Sequence, residues 1–272
     1  MLTFALGVAL AAGPDLAVPE DPAAAGALLS AAEHAIRDPS VTDFRGHGHL
    51  AQRIYRSCLG HPERGPAIVA AVSPELRETA QRNLASTLAI AKTASSKNTT
   101  VPAWSIAEPE PLAQLTAWYH EASDRFGVPW SILAAVHLVE TRMGRLRGVS
   151  TAGARGPMQF LPATWAAYGL GGNIDDAHDA ILGAANYLAK MGARRDLDRA
   201  IWHYNHHDDY VRAVRGFART IDEDPLAIRG FYGWEVYYRT AIGSVWLAPG
   251  YAETSPQPVT AWCASRGQPT CP

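Results

Sequence analysis

The sequence predicts a mainly α protein, and three observations carry that prediction. Alanine is abundant along the 272 residues while β-branched runs are scarce, which favours helix over sheet. Apolar residues recur at three- and four-residue spacing in one segment after another, the period of a helix with one buried face. Proline, aspartate and glycine stand at the ends of these segments, where helices start and stop. Hydrophobic residues make up 47% of the chain, enough for a substantial core. The 24 basic and 26 acidic residues leave a formal net charge of -2, without the basic excess of a nucleic-acid binder.

Taken in order, the chain begins with an apolar run of about ten residues followed by small ones. This has the length of a signal-peptide core and is too short to span a membrane, although no basic segment precedes it. We read residues 1–20 as a leader, with a first buried helix as the alternative. A Pro-rich acidic linker covers residues 14–22. From Pro22 to Ala94 the pattern is helical, broken near Pro39 and Pro62, with Leu84, Leu88 and Ala91 on one stripe. Two polar, Pro-containing stretches at residues 95–102 and 107–111 mark a boundary. The expected division is therefore an N-terminal helical region and linker at 21–110, a catalytic domain at 111–246 and a C-terminal tail at 247–272.

The catalytic part reads as a series of capped helices. Leu112, Leu115, Tyr119, Ala122 and Phe126 form one stripe ended by Gly127. Pro129 then opens a segment apolar nearly all round, which is the mark of a central helix. Pro162 starts a short helix. Asp175 or Asp176, Asp196, and Asp208 or Asp209 are placed to cap the next three. Residues 231–240 are aromatic and partly alternating, consistent with a strand or a buried helix packed on this domain. Of the three cysteines, Cys263 and Cys271 are placed to close a small terminal loop, which leaves Cys58 as a buried thiol.

Glu140 is the first candidate for chemistry. It ends the central apolar segment, where poor solvation of a carboxylate raises its pKa. A carboxyl group still protonated near neutral pH can donate a proton to a leaving oxygen, as glycoside cleavage requires. An ordinary exposed helix-end residue remains the alternative from local context alone. Downstream, a glycine-punctuated loop runs Gly153-Ala154-Arg155-Gly156-Pro157-Met158-Gln159-Phe160-Leu161-Pro162, and Tyr204-Asn205 precedes Tyr210-Val211.

Glu140-Thr141-x-x-Gly144, this loop, and the two tyrosine pairs, in this order and spacing, resemble the lytic transglycosylases with a goose-type-lysozyme-like domain. The loop wording through Trp165 is similar to the membrane-bound B type and its actinobacterial relatives. The resemblance covers about residues 112–217. It implies a lysozyme-like helical catalytic domain in an exported protein of the cell envelope, acting on peptidoglycan glycan strands without metal or cofactor. It implies Glu140 as the single catalytic acid. Thr141, Met158, Gln159, Phe160, Tyr204 and Asn205 would bind substrate, with Tyr204 a hydrogen-bond partner for Glu140 or the sugar. The family often continues Tyr-Asn with Ala-Gly, whereas this chain has His206-His207-Asp208-Asp209.

Other readings compete with this one. Water attacking at the same site would make the protein a hydrolase, with Asp175 and Asp176 nearest for water positioning against their role as helix caps. A groove kept without turnover would make it a peptidoglycan-binding protein, and the N-terminal half alone would suit a helical adaptor. His203 and His207, one helical turn apart, suggest a zinc pair, but no HExxH pattern accompanies them and a solvated turn is the simpler reading. His47 and His49 read as exposed loop residues. Trp165, Tyr168, Tyr187 and Trp202 are aromatic candidates for sugar stacking or core. Arg142, Arg145 and Arg147 either meet substrate carboxylates or form a charged loop.

Overall fold

The computed structural model describes residues 16–266 and 270–271; the apolar run of the expected leader lies outside them. The architecture is mainly α. Four helices come first: α1 (Pro22–Arg37), α2 (Phe44–Arg56), α3 (Arg64–Ala71) and α4 (Arg77–Lys92). Asp21 caps α1 by accepting the Ala24 N–H at 2.9 Å, with Pro22 in the first turn. Ala25, Leu29, Ala32 and Ile36 form its buried stripe.

His47 and His49 correct the loop reading: both lie within α2, 7% and 8% exposed. Asp43 caps this helix, and Gly48 lets it press on the backbone of a later helix, since a Cβ there would stand 2.2 Å from the Gly230 carbonyl oxygen. The two histidines are carried inward by that close approach. Burial pushes the His49 imidazole down to about 3, so it stays neutral, and it shares a 2.9 Å hydrogen bond with the Tyr237 hydroxyl.

Five helices follow the polar stretch: α5 (Leu112–Phe126), α6 (Trp130–Thr141), α7 (Pro162–Tyr168), α8 (Ala177–Lys190) and α9 (Leu197–Tyr204). Next come α10 (Asp208–Glu223), α11 (Ala227–Tyr232) and α12 (Val259–Ala264). Asp176 and Asp196 cap α8 and α9 through their side chains, while His207, not an aspartate, caps α10 by accepting the Asp209 N–H. Helix α6 is the centre. Residues 131–138 are all buried, and α5, α8 and α10 pack around it. Burial of each large side chain there, such as Ile132 or Leu133, contributes roughly 1.5–3 kcal/mol.

Helix α10 joins the two helical parts by packing on α6 and on α4. Its contact with α4 uses small and polar residues: Ser86 and Thr87 are buried, and the Thr220 hydroxyl donates to Asn83 Oδ1 at 2.9 Å. One apolar cluster accordingly runs from Ala25 to Trp234 through both parts.

Three two-stranded antiparallel sheets complete the fold. They pair β1 (Thr100–Val101) with β6 (Gln257–Pro258), β2 (Ser105–Ile106) with β3 (Leu146–Arg147), and β4 (Val236–Thr240) with β5 (Gly243–Leu247). The aromatic segment at 231–240 is thus both alternatives in turn, the end of α11 and then a strand. The polar stretch carries β1 and β2, and the C-terminal segment folds back on it. Val101, Ile106, Val245, Leu247, Tyr251 and Trp262 form a second, smaller apolar cluster. Cys263 and Cys271 are disulfide-bonded with Cα atoms 5.8 Å apart, and Cys58 is a buried free thiol.

Candidate active site

Helix α6 brings Glu140 out of the core at its last turn. The chain then leaves the helix through three consecutive left-handed residues, Arg142 (φ 55°), Met143 (φ 58°) and Gly144 (φ 88°). Only the third is a glycine, so the first two store backbone strain of about 1–2 kcal/mol each. Thr141 holds this turn in place. Its hydroxyl donates to the Pro157 carbonyl at 2.6 Å and accepts the Gly144 N–H at 3.0 Å. The end of α6 is thereby tied to the glycine-punctuated loop. In that loop Gly156 has φ +78°, and a Cβ there would lie 1.9 Å from the Ile174 carbonyl oxygen.

The Glu140 carboxyl is half-buried on the wall of a cavity of about 400 Å³. Poor solvation raises its pKa from 4.5 to about 7; a hydrogen bond from Tyr210 and the charge of Arg142 act in the opposite direction. The Tyr210 hydroxyl donates to Glu140 Oε1 at 2.6 Å. Burial first, and then the neighbouring carboxylate, push the Tyr210 phenol well up, so it remains a donor at neutral pH. Among the described residues Glu140 is the one carboxylate on the cavity wall.

The structure distributes the other expected residues unevenly. Thr141 and Asn205 share the cavity wall with Glu140 and Tyr210, and Asn205 is exposed at the C-cap of α9. Tyr204 does not reach Glu140. Its hydroxyl donates to the Met158 carbonyl at 2.7 Å, and its ring lies parallel to that of Tyr210 at 6.5 Å. Met158 and Phe160 are buried, Phe160 edge-on to Trp165, Tyr187 and Tyr204. Gln159 turns inward at φ +49° and donates to the Gly156 carbonyl at 3.1 Å. These three residues shape the loop beneath the site, and their side chains are not on its wall.

Tyr210, not Tyr204, is the hydrogen-bond partner of Glu140, and its motif is visible in the sequence. Its signal is the position two residues into α10, after Tyr204-Asn205, where an inward side chain meets the end of α6. The aromatic wall has no comparable local signal. Trp104, Trp234, Tyr237 and Tyr238 line the cavity, whereas Trp165, Tyr168, Tyr187 and Trp202 do not. The wall draws on the C-terminal end of α4 (Ile90, Ala91), on Ala94 just after it and on the β4–β5 hairpin, so residues far outside the α6–α10 segment build the site.

Arg145 is completely buried and donates to the Tyr232 and Trp234 carbonyls, which places it in the framework and out of reach of a ligand. Asp175 pairs with Arg155 and Asp176 caps α8, both away from Glu140. His203 lies in α9 while His207 is the N-cap of α10, so the two are not one turn apart on a single helix, and no group of three or more metal-ligating side chains occurs among the described residues.

The family model of the transglycosylase SLT domain matches residues 118–220, a span that holds Glu140, Asn205 and Tyr210. Over 125 residues the chain is 31% identical to a protein of Thiobacillus denitrificans named membrane-bound lytic murein transglycosylase F, covering 43% of this chain and 26% of that one. Over 122 residues it is 28% identical to membrane-bound lytic murein transglycosylase F 1 of Alkalilimnicola ehrlichii, covering 42% and 24% respectively. The chain thus spans about a quarter of the length of these curated relatives. Both names are of the F type, where the loop wording is similar to the B type. No solved structure matches the chain.

Proposed function

We propose, from the match of the transglycosylase SLT domain model to residues 118–220, that the protein is a peptidoglycan lytic transglycosylase with Glu140 as its catalytic acid. The observation that carries the reading is one carboxyl group, protonated up to a pH of about 7, held by Tyr210 on the wall of an aromatic-lined cavity. That is the state a general acid needs at working pH.

The reaction follows from these parts. Glu140 gives its proton to the oxygen of the β-1,4 bond between N-acetylmuramic acid and N-acetylglucosamine, and positive charge develops at the anomeric carbon. The 6-hydroxyl of the muramyl residue attacks that carbon, and its proton passes to the Glu140 carboxylate. A 1,6-anhydro end forms and the acid is regenerated. The nucleophile is tethered to the reacting centre, so a second carboxylate is not required. Tyr210 donates to the carboxylate while it waits for its proton, which offsets the cost of a charge in that poorly solvated place. Thr141 positions the turn that presents Glu140, and the exposed Asn205 on the same cavity wall is available to the sugar.

In this reading residues 111–246 form a lysozyme-like catalytic domain, and the helices of the 21–110 region supply one wall of its groove. The partner is the glycan strand at the cell envelope, a location in keeping with the names of the relatives. Among the described residues no helix is long and apolar enough to cross a membrane.

The test is digestion of purified peptidoglycan by the wild type and by Glu140→Gln, with released muropeptides read by mass spectrometry. Anhydro ends are about 18 Da lighter than reducing ends, because hydroxyl rather than water attacks. Anhydro products that disappear in Glu140→Gln support the proposal. Reducing ends make the protein a hydrolase. Equal activity of both forms removes Glu140 from the reaction, and inactivity of both leaves a binding protein.

A further inference from the structure

Three arginines from separate parts of the chain line the cavity beside Glu140: Arg56 ends α2, Arg142 follows α6, and Arg239 lies in β4. Each is held by neutral groups. The Arg56 guanidinium lies 4.2 Å from the centre of the Tyr237 ring and donates to Ser244 Oγ at 2.9 Å. Arg239 donates to the Ala91 carbonyl, and Arg142 to the Leu138 and Val139 carbonyls. Nε of Arg142 is buried with no hydrogen-bond partner. The ion pairs of the fold engage other arginines, such as Arg37, Arg82 and Arg155. Among the described residues none engages Arg56, Arg142 or Arg239.

This arrangement is costly without an anion. Removal from water disfavours the Arg56 charge most, and the like charges of Arg142 and Arg239 add to it; Tyr237 opposes them, and the guanidinium is pushed down to about 9. It still carries its proton at neutral pH. Three positive charges therefore face one cavity whose single carboxylate, Glu140, is largely protonated up to a pH of about 7. Like charges gathered in a poorly solvated space repel strongly. A planar carboxylate arriving there meets guanidinium donors in the geometry that suits it. The aromatic wall of Trp104, Tyr237 and Tyr238 offers flat apolar faces to the sugar rings that would carry such a group.

We propose that Arg56, Arg142 and Arg239 form a subsite for a carboxylate of the glycan substrate and so place a muramyl unit, rather than an uncharged sugar, against Glu140. The inference rests on the peptidoglycan reading above and adds the chemical group that is recognised. Two sources carry that group: the free lactyl arm of a peptide-free muramyl residue, and the carboxylates of an attached stem peptide.

The experiment is equilibrium binding to the full chain carrying Glu140→Gln, which separates binding from turnover. The probes are peptide-free glycan strands, peptide-bearing strands, and N-acetylglucosamine oligomers of equal length with no carboxylate. Carboxylate-bearing strands are expected to bind about 10- to 100-fold more tightly than the oligomers, the range of charge-assisted hydrogen bonds. Adding Arg56→Gln should remove that preference, while Arg56→Lys, which keeps the charge and loses the planar fork, should retain part of it. Methyl esterification of the peptide-free strands tests the same point without an arginine variant, and should lower their affinity to that of the oligomers. Preference for peptide-free strands assigns the lactyl carboxylate, preference for peptide-bearing strands assigns the peptide, and equally tight binding of both shows that either anion fits. Equal affinity for all three probes, or no effect of esterification together with no preference for peptide-bearing strands, overturns the subsite and leaves the glycan reading standing. If no probe binds at all, both fall.

Discussion

Replacing Tyr210 by phenylalanine removes one hydroxyl and little volume, and its consequences can be worked from the site. The 2.6 Å hydrogen bond from Tyr210 favours the charged form of Glu140 and is the larger of the two influences that oppose desolvation. Hydrogen bonds to charged groups contribute about 1.5–3 kcal/mol, and one pH unit corresponds to about 1.4 kcal/mol. The Glu140 pKa should therefore rise from about 7 by roughly one to two pH units. Because the acid form starts the reaction, activity of the wild type should fall as pH rises through about 7. In Tyr210→Phe that alkaline limb should move upward by the same one to two units. The plateau should drop about tenfold, since a weaker acid passes its proton to the leaving oxygen less readily. The assay is the initial rate of release of anhydro muropeptides from soluble glycan strands between pH 5 and 9, at saturating and at limiting substrate. An alkaline limb that stays in place, or moves downward, would refute the argument that Tyr210 acts through the charged form of Glu140.

Further outcomes follow from the same geometry. Between pH 4.5 and about 7 the folded chain keeps a proton on Glu140 that the unfolded chain has lost, so this group weakens the fold as pH rises through that window. Glu140→Gln lacks the effect, and denaturant melts should show it gaining roughly 1–3 kcal/mol over the wild type at pH 8 relative to pH 4. Gly156→Ala puts a Cβ against the Ile174 carbonyl at a positive φ; it should cost more than about 2 kcal/mol in the same melts and depress activity through the displaced loop. Cys263→Ser with Cys271→Ser opens the terminal disulfide. Loop-closure entropy for so short a loop predicts a loss of about 2.5 kcal/mol, read as a lower Tm, with the loss concentrated in the small cluster around Trp262.

Much of the helical frame is legible in local chemistry. Asp21, Asp176 and Asp196 cap helices because a carboxylate beside the first free backbone N–H groups satisfies them wherever the chain later packs. The uninterrupted apolar character of residues 132–136 requires a helix with no solvent-facing side, and α6 has none there. Departures occur where a neighbour distant in sequence decides. His49 reads as a polar loop residue until α11 approaches Gly48 and Tyr237 covers the ring. Asn83 and Thr87 are polar residues of α4 that are nevertheless buried, because α10 packs there and Thr220 bonds to Asn83. Arg145 reads as a free cation until it is enclosed beneath Tyr232 and Trp234.

The mainly α class, most helix limits and the position of Glu140 at the end of a central apolar helix are set by local sequence. These depend on propensity, capping and periodicity, which act between residues a few positions apart. Which tyrosine holds the acid, which aromatics face it, and that Arg56 and Arg239 stand beside it follow from long-range packing. Those facts depend on pairs distant in sequence, such as Tyr210 and Glu140, 70 residues apart. No local pattern encodes them, because each contact is set by how α2, α4, α10 and the β4–β5 hairpin close around α6.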